Sequence, residues 1–314
     1  MDATVKKYGL NDEERQEWYD KVVKPLFLEG KQKSDKPVFV LLTGQPGAGK
    51  TTASVKYAQM LDPEPVKFGG DDIRSLLPYA SELLKNDPVN YPFITKNDMS
   101  WARQKLVTDT FNAGYNLQID SILSSPNDWK MGTLLEAKEA GYRVECVALG
   151  VHRYLSEVSM FARREEQIKG LGVGFPVTMP PHDVAYNLLP DIVSRMYREG
   201  IADKVSVYNR MFENYYDTDK INNPDREQTS REIVQAIVRS RDDYLSKDSL
   251  NYIQATWENV CQNMIERNAS AEQLRETNSY YTAFRKSSGM YLVSPENKDI
   301  LKAMIVTKKG NCGK

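Results

Sequence analysis

The stretch that most constrains this chain is VFVLLTGQPGAGKTT, which begins at Val38 and leads an apolar run straight into three glycines, a lysine and two threonines. The segment from Gly44 to Thr51 fits the pattern G-x-x-x-x-G-K-[ST] in full, with a strand-like run before it and helical spacing after it. Glycines let successive backbone N–H groups point into one cavity, and the following helix adds its positive end. The pattern therefore predicts a loop that binds a nucleoside triphosphate with magnesium.

The predicted roles within this loop follow from phosphate chemistry. Lys50 is expected to reach the β- and γ-phosphates, and Thr51 is expected to hold Mg²⁺ through its hydroxyl. The alternative is a glycine-rich turn without a ligand, and the flanking strand and helix argue against it. A guanine-reading N-K-x-D motif on a suitable strand is lacking, which argues against a GTPase but leaves ATP or GTP as the phosphoryl donor. The predicted nucleotide-binding residues are Gly44, Gln45, Pro46, Gly47, Ala48, Gly49, Lys50, Thr51 and Thr52.

The pattern of elements along the chain predicts the fold class. Strands that alternate with helices over residues 38–210 indicate an α/β fold, a P-loop kinase-like parallel sheet with helices on both faces. Asn11 is expected to cap an N-terminal helix, with Glu14 as its capping-box partner. We predict three parts: a helical segment and connector at 1–36, the P-loop kinase core at 37–222, and a mostly helical C-terminal extension at 223–314.

Composition excludes several classes of protein. The 314 residues hold 42 Lys and Arg against 43 Asp and Glu, so a formal charge of -1 gives no global basic field for nucleic acid or an anionic membrane. Two histidines exclude a multi-histidine metal centre, and three scattered cysteines are too few for a disulfide framework or a zinc site. The N-terminus lacks the apolar core of a signal peptide and no run approaches a membrane span, so we expect a cytoplasmic protein without a membrane partner.

Carboxylates near the predicted strand ends are candidates for the chemistry. Small kinases place a carboxylate beside the γ-phosphate to orient and deprotonate an acceptor hydroxyl, and Asp71 in GGDDIR opens a helix one strand away from the loop. The alternative is that Asp71 only caps this helix, and the two roles are compatible. Asp120 ends the strand NLQID, where it is expected to hold magnesium through water, to bind acceptor hydroxyls, or only to cap the next turn.

The segment ARREEQIKG places Arg163, Arg164 and Lys169 next to a glycine-rich stretch. In nucleotide kinases such arginines neutralise charge as the phosphoryl group moves. On spacing alone, the alternative is favoured, namely a solvated helix face on which the arginines pair with Glu165 and Glu166.

An ordered set of segments resembles the zeta-toxin family of toxin–antitoxin kinases over about residues 10–210: LLTGQPGAGKTT, GGDDIR, GYNLQIDSIL, AKEAGYRVECVAL, ARREEQ, PHDVAYNLLP and VSVYNR. The resemblance implies phosphorylation of a UDP-amino-sugar, such as UDP-N-acetylglucosamine, with ATP or GTP and Mg²⁺, and it implies a cognate antitoxin. It assigns the general base to Asp71, the sugar-nucleotide-binding acid to Asp120 and the first charge-stabilising arginine to Arg163. The predicted catalytic residues are Asp71, Lys50 and Arg163, and the predicted acceptor-binding residues are Asp120, Ser121, Asp72, Arg74 and Arg164.

The chain departs from the family pattern around the acceptor. The family's E-G-T becomes Asp120-Ser121-Ile122, and the family's second arginine has no counterpart near Pro176. A pocket built for one hydroxyl pattern rejects another strongly, so the acceptor is the least constrained part of the prediction. The open alternatives are a kinase of another acceptor such as NAD, a polynucleotide 5′-hydroxyl kinase, against which the neutral charge argues, and a transfer-deficient binding module whose grip on a partner depends on nucleotide.

Overall fold

A computed structural model describes residues 8–125, 129–222, 225–242 and 247–288. At its centre is a six-stranded sheet with the strand order β2-β3-β1-β4-β5-β6. The strands are β1 (Val38–Thr43), β2 (Val66–Gly69), β3 (Leu117–Ser121), β4 (Arg143–Leu149), β5 (Lys204–Tyr208) and β6 (Asn214–Asp217). Strands β1 to β5 run parallel, which confirms the predicted α/β class, and β6 adds an antiparallel edge strand that the sequence analysis missed.

The helices alternate with these strands and then continue alone. They are α1 (Asp12–Trp18), α2 (Lys24–Leu28), α3 (Lys50–Ala58), α4 (Gly70–Ser75), α5 (Ala80–Asn86), α6 (Tyr91–Ile94), α7 (Lys96–Ala113), α8 (Trp129–Glu139), α9 (Arg153–Leu171), α10 (Met179–Arg198), α11 (Arg226–Asp242), α12 (Lys247–Glu266) and α13 (Ala271–Ser288). A π-helical segment, Tyr19–Val23, joins α1 to α2, and a 3₁₀ turn, Thr218–Lys220, follows β6.

The N-terminal helix begins as its sequence predicts. The side-chain oxygen of Asn11 accepts a hydrogen bond from the backbone N–H of Glu14 at 2.9 Å, and the carboxylate of Glu14 accepts one from the backbone N–H of Asn11 at 2.8 Å. This reciprocal pair satisfies two donors that a helix start leaves unpaired. The capping box is therefore confirmed.

The sheet is covered by helices on both faces. Phe39 of β1 packs against Phe111 of α7, with ring centroids 6.1 Å apart. Phe39 pairs in register with Leu117, so the next residue of β3, Gln118, faces the other side, where its Nε2 donates to Ser54 Oγ of α3 at 2.6 Å. Burial on both faces explains why β1 is a continuous apolar run.

Parallel pairing brings the ends of several strands to one edge of the sheet. Asp120 pairs with Leu42 of β1 on one side and with Gly69 of β2 on the other. The residues that follow β1 and β2 therefore start beside Asp120. This edge is where α/β sheets bind their ligands.

The described chain forms two compact units, and each combines separate segments. The first unit contains the described parts of residues 1–151 and 178–242, and the second contains those of 152–177 and 243–314. In the second unit, Phe161 of α9 packs against Trp257 of α12, with ring centroids 5.0 Å apart. In the first, Ser240 of α11 donates to the carbonyl of Gly150 at 2.7 Å.

The predicted boundaries at 1–36, 37–222 and 223–314 do not follow these units. Helix α9 belongs with the C-terminal helices because its apolar face packs on them, and α11 belongs with the sheet because it packs on α10 and on the end of β4. The outer parts of the predicted terminal segments, 1–7 and 289–314, lie outside the described residues. Among the described helices, none combines the length and the apolar composition that crossing a membrane requires.

Candidate functional site

The loop between β1 and α3 has the backbone that a phosphate loop requires. Gly47 and Gly49 adopt φ angles of 77° and 90°, in the left-handed region that favours glycine. Lys50 is the first residue of α3, and its Nζ donates to the carbonyls of Gly44 at 2.9 Å and Gln45 at 3.1 Å. The loop's own carbonyls thus hold the lysine at the N-terminus of a helix, where an anion is stabilised.

Buried contacts hold the rest of the loop in place. The side chain of Gln45 is fully buried and donates from Nε2 to the carbonyl of Val151 at 2.8 Å. Ala48 is also fully buried, and its backbone N–H donates to the carbonyl of Gln45 at 3.1 Å. Pro46 is half-buried and Thr52 is exposed. The predicted nucleotide-binding residues therefore form a turn that leads into the first residues of α3, and Gln45 fixes this turn to Val151, just beyond β4.

A cleft of about 500 Å³ opens beside this loop, a size that suits a small ligand. Its polar wall brings together three predicted site residues, Thr51, Asp72 and Asp120. The remaining lining includes Ser54 and Lys67 on the polar side, and Leu26, Phe27 and Leu76 on the apolar side. Sequence analysis missed Ser54 and Lys67, because neither stands at a motif position.

Asp120 is the most perturbed acid of the cleft. Burial raises the pKa of its carboxyl to about 6, while a hydrogen bond from Ser54 and the charge of Lys50 partly oppose the rise. One carboxylate oxygen, Oδ1, is buried without a hydrogen-bond partner. Thr51 lines the same cleft, and its hydroxyl together with this unpaired carboxylate oxygen is a donor set that suits Mg²⁺, which prefers oxygen ligands.

The two aspartates of GGDDIR have different surroundings. Asp72 accepts a hydrogen bond from the backbone N–H of Gly69 at 2.6 Å, so the capping role considered for Asp71 falls on Asp72. Asp71 forms an ion pair with Arg74, its side chain is 62% exposed, and it is not among the residues that line the cleft. Arg74 is further held by Thr95, whose hydroxyl oxygen accepts from its Nε at 2.8 Å. Arg74 therefore positions Asp71.

Ser121 lies on the opposite face of β3 from Asp120. It pairs in register with Thr43 of β1 and is half-buried. The cleft lining does not include it, so the structure brings Asp120 and Asp72 together without their predicted companion Ser121. Alternation of side chains along a strand accounts for this separation.

The two predicted arginines of α9 lie in the second unit and differ in burial. Arg163 is exposed. Arg164 is only 4% exposed, and it pairs with Glu276 of α13 at 3.0 Å and donates to the hydroxyl of Thr277 at 3.2 Å. The buried Glu165 pairs with Arg267, the residue that follows α12. Arg164 thus holds α13 on α9, a structural role in place of the predicted acceptor contact. It also pairs with Glu165 at 3.4 Å, the partner that the alternative named, but on a buried face rather than a solvated one.

One further residue at the loop escaped the sequence analysis. Arg210 follows β5, and its Nη1 donates to the carbonyl of Gly47. Its position two residues beyond a parallel strand, at the edge where β1 also ends, was the available signal. The segment VSVYNR entered the family resemblance without a role for its arginine.

Comparison with known proteins identifies the family. Residues 26–221 match the family model described as Zeta toxin. The chain belongs to the zeta-toxin family. Toxin PezT of Streptococcus pneumoniae is 30% identical over 193 residues, which cover 60% of this chain and 75% of that protein. Toxin zeta of Enterococcus hirae is 25% identical over 188 residues, which cover 58% of this chain and 64% of that toxin.

A solved structure supports the fold of this zeta-toxin family member. The chain matches a structure from the PezAT chromosomal toxin–antitoxin system of Streptococcus pneumoniae with a TM-score of 0.61 at 24% identity, covering 76% of this chain and 100% of that one. At this identity the likeness shows the fold. The family resemblance predicted from the ordered segments is confirmed, and α12 and α13 lie outside the matched range of 26–221.

Proposed function

We propose that this zeta-toxin family member transfers the γ-phosphate of ATP or GTP to a hydroxyl of a nucleotide metabolite, with a UDP-amino-sugar such as UDP-N-acetylglucosamine as the first acceptor to test. The observation that carries the proposal is the phosphate loop with Lys50 held inside it, beside a cleft whose wall includes Thr51, Asp72 and Asp120. Small kinases need this combination of a charged cradle and carboxylates, because their catalysis is positioning and electrostatic stabilisation.

Lys50 is the residue whose hydrogen bonds change when the phosphoryl donor, ATP or GTP, binds. Its ammonium is held by two neutral carbonyls, of Gly44 and Gln45. Phosphate oxygens carry full negative charge and make stronger, charge-assisted hydrogen bonds with an ammonium than carbonyls do. Lys50 therefore exchanges these carbonyls for the β- and γ-phosphates when the triphosphate enters the loop.

Thr51 and Asp120 would hold the magnesium ion that accompanies the triphosphate. The Thr51 hydroxyl and the unpaired, buried Oδ1 of Asp120 are oxygen donors on one wall of the cleft. When bound, the ion neutralises charge on the β- and γ-phosphates. This proposal takes the magnesium alternative for Asp120 rather than the acceptor contact.

Asp71 is proposed as the base that accepts the proton of the acceptor hydroxyl, and Arg74 fixes its orientation through their ion pair. Arg163 is proposed to neutralise charge on the phosphoryl group in transfer. The second unit buries Arg164 in its own ion pairs, so Arg164 does not replace the family's second arginine. This observation keeps the transfer-deficient, nucleotide-gated binding module as the second candidate function.

The test is a product assay. The protein is incubated with ATP or GTP, Mg²⁺ and one acceptor at a time, namely UDP-sugars, NAD, nucleosides and a 5′-hydroxyl oligonucleotide, and products are examined by mass spectrometry for the gain of one phosphate. Asp71→Asn should abolish turnover while ATP binding persists, and Asp191→Asn, an exposed acid on α10, should change neither. Full turnover in Asp71→Asn would remove Asp71 from its role. ATP binding without any product would favour the binding module, and no binding of either triphosphate would reject both.

We also propose that the protein is a toxin with an antitoxin partner, since relatives that match it are named toxins and the matching structure comes from a toxin–antitoxin system. Induced expression in a bacterial host should arrest growth, and Lys50→Ala should relieve the arrest at equal protein level. Equal arrest by both proteins would separate toxicity from the phosphate loop.

A further inference from the structure

We infer that Arg210 is a positioning residue that sets the shape and charge of the phosphate loop for the triphosphate tail of ATP and GTP alike. The inference rests on the nucleotide binding proposed above. Arg210 Nη1 donates to the carbonyl of Gly47 and lies 3.3 Å from the point where a side chain at Gly49 would begin. One guanidinium thus covers both left-handed glycines of the loop.

The contact fixes a single peptide plane. The carbonyl of Gly47 accepts from Arg210, and the N–H on the same peptide, that of Ala48, donates to the carbonyl of Gln45 at 3.1 Å. A trans peptide is planar with its C=O and N–H pointing in opposite directions, so holding both ends fixes its orientation. The orientation of the Gly47–Ala48 peptide is therefore fixed from both sides.

The two cations at the loop have different tasks. Lys50 holds the carbonyls of Gly44 and Gln45 and is the group expected to turn to the phosphates. Arg210 holds the carbonyl of Gly47 and does not need to release it for a ligand to enter. The charge of Arg210 therefore stays beside the loop with and without a bound triphosphate, and it attracts the phosphate tail without any movement of the side chain.

Arg210 is presented by a stiff turn between β5 and β6. The side-chain oxygen of Asn209 accepts from the backbone N–H groups of Met211 and Glu213, both at 2.9 Å, and Asn209 is almost fully buried. The rings of Tyr208 and Phe212 stack with centroids 4.4 Å apart, which holds Phe212 at a φ of 67°. A residue on such a turn is preorganised, so little entropy is lost when the loop is held.

The same turn also packs on the helix that follows the loop. The ring of Tyr57 on α3 meets the rings of Tyr208 and Phe212 edge-on, at centroid distances of 6.2 and 6.5 Å. Lys56 Nζ lies 5.6 Å from the centroid of the Phe212 ring. The β5–β6 turn therefore contacts the loop through Arg210 and the helix through its aromatic rings, and it ties the loop to the start of α3 from one side.

Calorimetry and steady-state kinetics at millimolar Mg²⁺ test the inference with Arg210→Gln, Arg210→Lys and a matched control, Arg195→Gln, which removes an exposed arginine paired with Glu199 on the surface. Loss of a charge-assisted hydrogen bond should weaken the affinity of Arg210→Gln for ATP about ten-fold, with the same factor for GTP. The KM for the triphosphate should rise by this factor while kcat stays within about two-fold, a split expected when an interaction that is equally strong in the ground state and the transition state is lost. Arg210→Lys keeps the charge and should lie between wild type and Arg210→Gln, and the control should match wild type.

Each other outcome would overturn the inference. Wild-type affinity in Arg210→Gln would show that the contact does not shape the loop for phosphate. A loss for ATP without an equal loss for GTP would show that Arg210 reads the base. A fall in kcat at unchanged KM would make Arg210 a residue of the transfer step. If the wild-type protein binds neither triphosphate, the proposed function fails and the inference fails with it.

Discussion

Replacing Asp120 by asparagine should stabilise the nucleotide-free protein at neutral pH. Burial raises the pKa of this carboxyl from 3.8 to about 6, so the folded state disfavours the ionised form relative to the unfolded state. A shift of this size corresponds to about 3 kcal/mol of lost stability once both states are ionised. Asparagine has nearly the same shape and carries no charge, so the variant avoids this cost.

The pH dependence gives the prediction its sign. Below pH 3.8 the carboxyl is neutral in both states, so wild type and Asp120→Asn should differ little from this cause. As the pH rises towards 6, the unfolded chain ionises first, and the advantage of the variant should grow to about half its full value at pH 5. Above pH 6 the advantage should level off near 3 kcal/mol, about 6–12 °C in Tm for a unit of this size.

The assay is thermal and urea unfolding of both proteins from pH 5 to 8 with a chelator present and nucleotide absent. Asp191→Asn, an exposed acid of the same unit, is the control and should stay within about 0.5 kcal/mol of wild type. The stabilised variant should bind ATP with magnesium more weakly, because Asp120 is proposed to hold the ion. An Asp120→Asn protein that is less stable than wild type at pH 8, or whose difference from wild type does not change with pH, would refute this reasoning.

Three further outcomes are expected. Gly49→Ala should abolish ATP binding in calorimetry, because φ at this residue is 90° and the new Cβ would lie 3.3 Å from Arg210. Gly141→Ala is the control: its φ is 84° with open space around it, so both variants should lose about 1 kcal/mol of stability, but this one should bind ATP normally. Arg164→Met should destabilise the second unit by about 2 kcal/mol in urea unfolding, because Glu276 loses its ion pair and the buried Thr277 hydroxyl loses its donor, whereas Arg163→Met should cost less than about 0.5 kcal/mol. Burial raises the pKa of the Cys261 thiol to about 12, so peptide mapping should detect its alkylation at pH 8 only after unfolding.

Features set by neighbouring residues were readable from the sequence. The phosphate loop, the alternation of strands and helices, and the capping box of Asn11 and Glu14 each depend on residues within one turn or one strand–helix unit. The family assignment was readable because it used the order of many short segments. Local chemistry therefore carried the fold class and the position of the glycine-rich loop between β1 and α3.

Features set by distant contacts were not readable. Arg210 reaches Gly47 across 163 positions of the chain, and Arg164 pairs with Glu276 across 112. Mixed charges on a helix predict a solvated face unless the partner helix is known, so the burial of Arg164 had no local signal. The capping contact falls on Asp72 rather than on Asp71 because the helix starts at Gly70, which places Asp72 at its third position, and a run of two adjacent aspartates does not fix that start.

Helix α9 has a consequence for how this protein can be divided. The helix lies inside residues 26–221, which match the family model, but its contacts lie beyond that range. Phe161 packs on Trp257, and Arg164 bonds to Glu276 and Thr277. A chain cut after Asp242 would expose the ring of Phe161 and leave Arg164 without its partners on α13. Such a fragment should aggregate. Chimaeras between zeta relatives must therefore carry α9 and its two covering helices as one cassette.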